Sequence, residues 1–421
     1  MDKRKTRKEI IIREGQKKVI EEVDISHEEY YATKEQLEKV KERQKEEPTK
    51  KKNPTLKVCL VILITVISLV LYYNQANLSF ESVTFWVKTQ VVGSGVGDGY
   101  PVSVVGSTVS SENFISNSSN SVVLSDTALS IYSETGKELL STGHEYNNPV
   151  LKNSGDYFLI YGINQTNYSI YTVNSNISNS SVDYAILSAD IASNGTYIIA
   201  SQSVDFTSEF SVYSVKGVLQ YTYKFANGYI SSVVLNSSAT GGAVSIVYSS
   251  DGIMCTDIYV FDFTSADPVA VYTSSDNVIL NIIYNSDSQI SAVGNNKVSV
   301  ISSDKLSEYS YESNTLSAVS TENNQIIISL VNATGESTIV VFQNLSEVVE
   351  FQVNSYVDHI SSYGQSIAVL TEDKVECYNL SGTLIGISDA SYDTKAIALS
   401  SESNVYMLGL SKIEYVSLNP V

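Results

Sequence analysis

Beyond residue 57, two histidines and a scatter of carboxylates are the raw material for acid–base or metal chemistry. His144 stands beside Glu145 in "STGHEYNNP", a pairing with the residue types of a general base. The flanking Gly143 and the Asn147-Asn148-Pro149 run make this a connection between elements, and an exposed turn accounts for it. His359 follows Asp358 in "VDHISS", but no Gly-x-Ser-x-Gly elbow accompanies the pair, so a catalytic triad is not assembled. Neither histidine has a second one at two- or four-residue spacing, and no zinc site is expected. Acidic residues in "SSDG" (Ser249 to Gly252) and "NSDSQ" (Asn285 to Gln289) are isolated rather than spaced as calcium ligands, and turn chemistry explains them. No catalytic, cofactor-binding or metal-binding residue is therefore assigned, and no cofactor is expected. Most of the 29 tyrosines fall in extended segments, where they pack. Tyr100, Tyr146 and Tyr363 fall near connections, where a ring can stack on a sugar or a peptide.

The elements that would carry such residues follow from charge and hydropathy. Net charge is −19 over 421 residues, unevenly spread. Residues 1–57 hold 17 Lys/Arg and 13 Asp/Glu, leaving 10 cations, all Lys, and 33 acids beyond them. A domain with that balance and no Arg does not bind nucleic acid or phosphorylated polymers directly. At the boundary, "LKVCLVILITVISLVLYY" (Leu56 to Tyr73) contains a 16-residue uncharged run from Val58. At ~1.5 Å per residue the run covers roughly 24 Å, and Leu56, Lys57, Tyr72 and Tyr73 extend it toward the ~30 Å of a bilayer core. The "KKKNPTLK" flank places the N-terminus in the cytosol and residues 74–421 outside, anchored in the cell membrane by a single pass.

Residues 1–55 form a charged cytosolic tail, partly helical over Thr33 to Glu47, where Thr33 and Gln36 have capping-box spacing. A solvated tail explains it; docking of a cytosolic partner is the alternative, and the basic end favours anionic headgroups. Residues 74–98 read as a stalk and a Gly-rich linker, "GSGVGDG". Of the cysteines beyond the span, Cys255 and Cys377 read as buried small residues, with a bridge left open.

From Tyr100 onward the sequence is short alternating strands separated by Ser/Asn/Asp/Gly clusters. "ALSIYSETGKELLS", "EFSVYSVKGVLQYTY" and "KVECYNLSGTLIGIS" share one layout, and weaker copies fill the gaps. Aligned on one strand position, the copies centre on Ile131, Ile170, Val212, Val260, Val300, Val341, Cys377 and Tyr415, at intervals of 36 to 48 residues. Each follows an apolar strand such as "DYFLIYG" or "QIIISLV". A period near 40 with about four strands per unit predicts a β-propeller, in which wholly apolar strands are buried between neighbouring sheets. The count is eight blades, or seven if two weaker copies form one elaborated blade. The last copy ends too close to the C-terminus to have its own outer strand. "GYPVSVVG" (Gly99 to Gly106) is expected to supply it, an edge position that Pro101 tolerates.

The layout of tail, span, "GDGYPVSVVG" and "VVLSDTALSIYSETGKEL" resembles a membrane-anchored β-propeller family of unknown function from low-GC Gram-positive bacteria. The repeats also resemble the WD40-like and quinoprotein-like propeller superfamily. The Trp-Asp signature is absent, since the sole Trp is Trp86, and a propeller without Trp cannot reproduce the stacked cofactor site of quinoprotein dehydrogenases.

The expectation is thus an all-β propeller over 99–421 behind a span at 56–73. It would be a non-enzymatic binding or scaffold module for a protein or glycan partner at the cell envelope. The alternative is a propeller lyase or hydrolase on cell-wall glycans, with carboxylates facing the channel.

Overall fold

The structure, a computed structural model, describes residues 97–344 and 347–421, together with residues 8–13, 16–21 and 30–31. The last three stretches are strands Lys8–Arg13, Gln16–Glu21 and Tyr30–Tyr31, paired antiparallel in that order. They arise where the tail is richest in β-branched residues, "EIII" and "KVI", a local signal that its high charge obscures. The helix expected over Thr33 to Glu47, the span at 56–73 and the stalk to residue 96 lie outside the described residues. Among those described, no helix is long and apolar enough to cross a membrane.

Residues 97–421 build eight antiparallel sheets, their strands laid side by side in chain order from the inside outward in all but the last, whose outer strand comes from the N-terminal side. Blade 1 is Val109–Asn117, Asn120–Ser125, Ala128–Tyr132 and Glu138–Gly143; blade 2 is Pro149–Ser154, Tyr157–Gly162, Asn167–Thr172 and Ser175–Ser181. Blade 3 is Ile186–Ile191, Tyr197–Gln202, Ser208–Tyr213 and Leu219–Phe225; blade 4 is Tyr229–Leu235, Gly241–Ser250, Ile253–Asp262 and Ala270–Ser275. Blade 5 is Ile279–Ser286, Gln289–Gly294, Lys297–Ser302 and Lys305–Ser310; blade 6 is Thr315–Ser320, Ile326–Val331, Ser337–Asn344 and Glu347–Val353. Blade 7 is His359–Tyr363, Ser366–Leu370, Lys374–Asn379 and Leu384–Asp389; blade 8 contributes Ala396–Leu399, Asn404–Leu408 and Lys412–Ser417. All eight alignment positions fall on third strands, and the apolar strands preceding them are second strands. The count is eight, not seven.

The ring is closed by packing. Eight apolar clusters are present, and each joins two consecutive blades, including the last to the first. The second strand of blade 2 shows why its sequence has no polar alternation. Phe158 and Ile160 face blade 1, Leu159 and Tyr161 face blade 3, and all four are buried. The largest aromatic cluster lies between blades 3 and 4, where Phe210 meets Phe261 edge-on at 5.0 Å.

Blade 8 takes its outer strand from the N-terminal side, as expected: Val102–Ser103 pairs with Lys412 and Ile413. The strand is short because Pro101 removes a donor. The segment is held on both sides of the seam. The Tyr100 hydroxyl donates to Ser133 O of blade 1 at 3.0 Å and shares a hydrogen bond with Ser121 Oγ at 2.9 Å, while its ring lies 5.3 Å from Tyr406 and 5.6 Å from Tyr415. The linker's end is also fixed: Gly97 N donates to Thr135 Oγ1 at 3.0 Å and Gly99 N to Thr135 O at 3.1 Å. Gly136 has φ +74° and a Cβ there would lie 2.4 Å from Gly99 O, so this close approach requires glycine. At the other terminus Asn419–Pro420 adds a fifth strand to blade 7, pairing with Gly386 and Ile387.

The two faces of the ring differ. One, the turn face, carries the first-to-second and third-to-fourth connections of each blade. The other, the loop face, carries the second-to-third connections and the crossings between blades. The chain joins the propeller at Gly97 on the turn face, beside the Ser133–Lys137 turn of blade 1.

Candidate binding surfaces: channel and loop face

The innermost strands surround a channel whose cavity has a volume of about 1130 Å³, lined among others by Asn113, Lys152, Asn281, Glu322, His359 and Tyr363. Innermost strands are sheet edges, so their outward backbone groups need partners. Polar side chains of the neighbouring blade supply them. Asn113 of blade 1 acts as a surrogate strand, donating to Pro149 O at 2.7 Å and accepting from Leu151 N at 3.0 Å. Asp190 of blade 3 accepts from Leu235 N at 2.9 Å. Between blades 6 and 7, a short 3-10 turn at Glu322–Asn324 places the Glu322 carboxylate 2.7 Å from Ser362 N and 2.8 Å from Ser361 Oγ. Asn323 Nδ2 donates to Ser362 O at 2.7 Å, and Asn285 of blade 5 reaches Asn324 O at 2.8 Å. Ser361 Oγ in turn accepts from Leu399 N of blade 8 at 2.9 Å.

Burial sets the electrostatics of these groups. It pushes the Asp190 carboxyl up to about 6, although the Leu235 N–H and the Lys152 ammonium favour its charge. It raises Glu322 as well, against three donors that favour the carboxylate. His359 is pushed down to about 4 by burial, so its imidazole is neutral at pH 7. Its Nδ1 accepts weakly from Ile397 N at 3.4 Å.

His144 is not an exposed turn residue. Half-buried, it sits with Nε2 3.0 Å from Ser125 O and Nδ1 accepting from Tyr146 N at 3.1 Å, while Glu145 points to solvent. Both ring nitrogens are thereby committed and burial lowers its pKa. His359 lies in the channel wall, and Asp358, whose carboxyl is raised by burial and by Glu372, is on the loop before it. Tyr146 is bonded to Ser169 Oγ at 2.6 Å and stacked on His144. Tyr100 is part of the seam, leaving Tyr363, 42% exposed on the channel wall, as the one of the three rings free to meet a ligand. Asp251 and Gly252 form the two-residue turn read from "SSDG", with φ of 52° and 83°. Cys255 and Cys377 are both buried free thiols. Among the described residues, no three His, Cys, Asp or Glu side chains are grouped to hold a metal.

Glu322 was not legible as a channel residue, because its partners lie 39 and 40 residues away on the next blade. The loop face holds a second unanticipated feature. Second and third strands have five to eight residues in the other blades but ten each in blade 4, so this hairpin overhangs its sheet. Its pairing continues through Tyr248↔Cys255, Ser249↔Met254 and Ser250↔Ile253, past the last inner-strand pair, Tyr229↔Val247. Three residues at about 3.3 Å each carry it roughly 10 Å beyond.

A family model described as a family of unknown function (DUF5711) matches residues 100–418. A search of curated proteins finds no match. Among solved structures, the C-terminal WD40 domain of Sif2 superposes with a TM-score of 0.52 at 12% identity, covering 76% of this chain and 98% of that one. Sqt1 of Saccharomyces cerevisiae gives 0.49 at 12% identity, covering 75% and 99%. The Sif2 likeness shows the WD40-like propeller fold.

Proposed function

This chain belongs to the DUF5711 family of unknown function, and from its architecture we propose a non-enzymatic binding or scaffold module for a partner at the cell envelope. The apolar segment at 56–73, uncharged from Val58 onward, would tether it by a single pass, with the propeller outside and the tail at 1–55 in the cytosol. The observation that carries this reading is the use of the polar groups on the innermost strands and in the turn that follows one of them. Asp190, Glu322, Asn113 and Ser361 each bond a main-chain group of the next blade. They brace the ring and do not form a free acid–base pair. A rigid ring with variable connections is a scaffold on which loops select a ligand. The reading as a glycan lyase or hydrolase needs paired carboxylates in the channel. Of the three that line the cavity, Glu322 is held by Ser361 and Ser362, Asp126 accepts from Ser107 N and Thr108 N, and Glu112 is exposed on the innermost strand of blade 1.

Chemical crosslinking of the full chain in intact membranes, followed by purification, tests the proposal. One stoichiometric partner is expected, unchanged in Glu322→Gln. Turnover of cell-wall glycans that Glu112→Gln or Glu322→Gln abolishes would overturn it.

A further inference from the structure

We propose that the partner docks off-centre on the loop face, over blades 3 to 5, and presents a cationic segment interleaved with apolar side chains. This rests on the binding-module reading and names its surface.

Large apolar side chains are exposed together there. Val204 (70% exposed) and Phe206 lie in the second-to-third loop of blade 3, and Tyr229 (60%) opens blade 4. Ile253 and Met254 are at the tip of the overhanging hairpin, and Leu280 (57%) opens blade 5. The backbone joins these positions into one surface. Thr207 Oγ1 donates to Ala226 O at 2.8 Å and Ser208 Oγ to Gly228 O at 3.2 Å, linking the blade 3 loop to the crossing before Tyr229. Tyr229 pairs with Val247 in the hairpin, and Asn277 N donates to Met254 O at 3.2 Å, linking the tip to the crossing before Leu280. A contiguous exposed apolar surface of this kind marks an interaction site.

Charge selects the partner. Asp205, Asp251 and Asp276 are exposed among these side chains, and the connections of blades 3 to 5 on this face contain no Lys or Arg. One ring of the patch already takes a cation: Lys224 Nζ lies 5.7 Å from the Phe206 centroid, anchored by Glu209 at 3.1 Å. The chain joins the propeller at Gly97 on the opposite face.

The test uses the full chain in zwitterionic nanodiscs and a short synthetic peptide alternating Lys and Leu, with empty nanodiscs as the blank. Saturable, salt-sensitive binding is expected, weakened at least about tenfold by Ile253→Ser with Met254→Ser. Asp251→Asn with Asp276→Asn is expected to weaken it too. Val218→Ser with Val269→Ser, exposed on the turn face, is expected to change nothing. Equal binding of a Glu/Leu peptide, equal loss in the turn-face variant, or no loss in the hairpin variant would overturn the proposal. So would a dimer that Ile253→Ser with Met254→Ser dissolves, because a second copy would then be the occupant. If membrane crosslinking still captures the partner with the hairpin variant, the patch falls while the binding module stands.

Discussion

Ser361 donates its hydroxyl to the Glu322 carboxylate at 2.8 Å across one blade junction, and the same oxygen accepts the Leu399 N–H at 2.9 Å across the next. Three blades are thereby linked through two side chains in the channel wall, where a sheet edge would otherwise leave donors unpaired.

Ser361→Ala should destabilise the fold by about 1–3 kcal/mol, because the buried Leu399 N–H loses its acceptor. Glu322→Ala should cost a similar amount through Ser362 N, and the double variant should cost less than the sum. Urea unfolding of the full chain in detergent, followed by tyrosine near-UV dichroism, measures all three. Additive losses would show that the two junctions are independent.

Asp190 predicts a pH dependence of defined sign. Its folded carboxyl holds the proton more tightly than the unfolded one, being pushed up to about 6. Its contribution to stability is therefore present below the ordinary carboxylate range and is lost as pH rises from about 4 to 6. Asp190→Asn should remove this decline, so the stability difference between variant and parent should shift toward the variant across that window. Asp126 and Asp262, held low by backbone N–H groups, act in the opposite direction in both proteins and cancel. A flat difference curve would refute the assignment.

Tyr100 closes the seam between blades 8 and 1. Tyr100→Phe should cost about 1 kcal/mol, the net worth of its hydroxyl bonds. Tyr100→Ala should cost about 2–4 kcal/mol by adding a cavity beside Tyr406 and Tyr415. Limited proteolysis should then cut first between residues 97 and 108. First cuts elsewhere would mean that the seam is not the weak point.

Phe210 is fully buried among Phe225, Phe261 and Tyr223 between blades 3 and 4. Phe210→Ala should cost about 3–5 kcal/mol, whereas Phe206→Ala, exposed on the loop face, should stay within about 1 kcal/mol. Thermal unfolding separates the two, and comparable losses would contradict the assigned burial.

The repeat was legible because burial between sheets leaves a strong mark. Strands such as Tyr157–Gly162 and Ile326–Val331 are apolar on both faces, and a third strand follows each at a regular distance. The lead-in strand was legible from counting, since blade 8 lacked a fourth. Asn419–Pro420 was not, because two residues at a terminus carry no period. The channel braces were also hidden. Asn113, Asp190 and Glu322 are ordinary polar residues in sequence, and their partners are set by ring geometry. The exposed Ile253 and Met254 look in sequence like any strand residues, and only the overhang of their hairpin removes them from a core. The long interval before Val260 was the one trace of it.

The segment that completes blade 8 is also the one through which the propeller is attached to everything before residue 97. Traction applied there first strips the glycines from the blade 1 turn. It next meets the pairing of Val102–Ser103 with Lys412 and Ile413. The leash and the clasp of the ring are the same piece of chain.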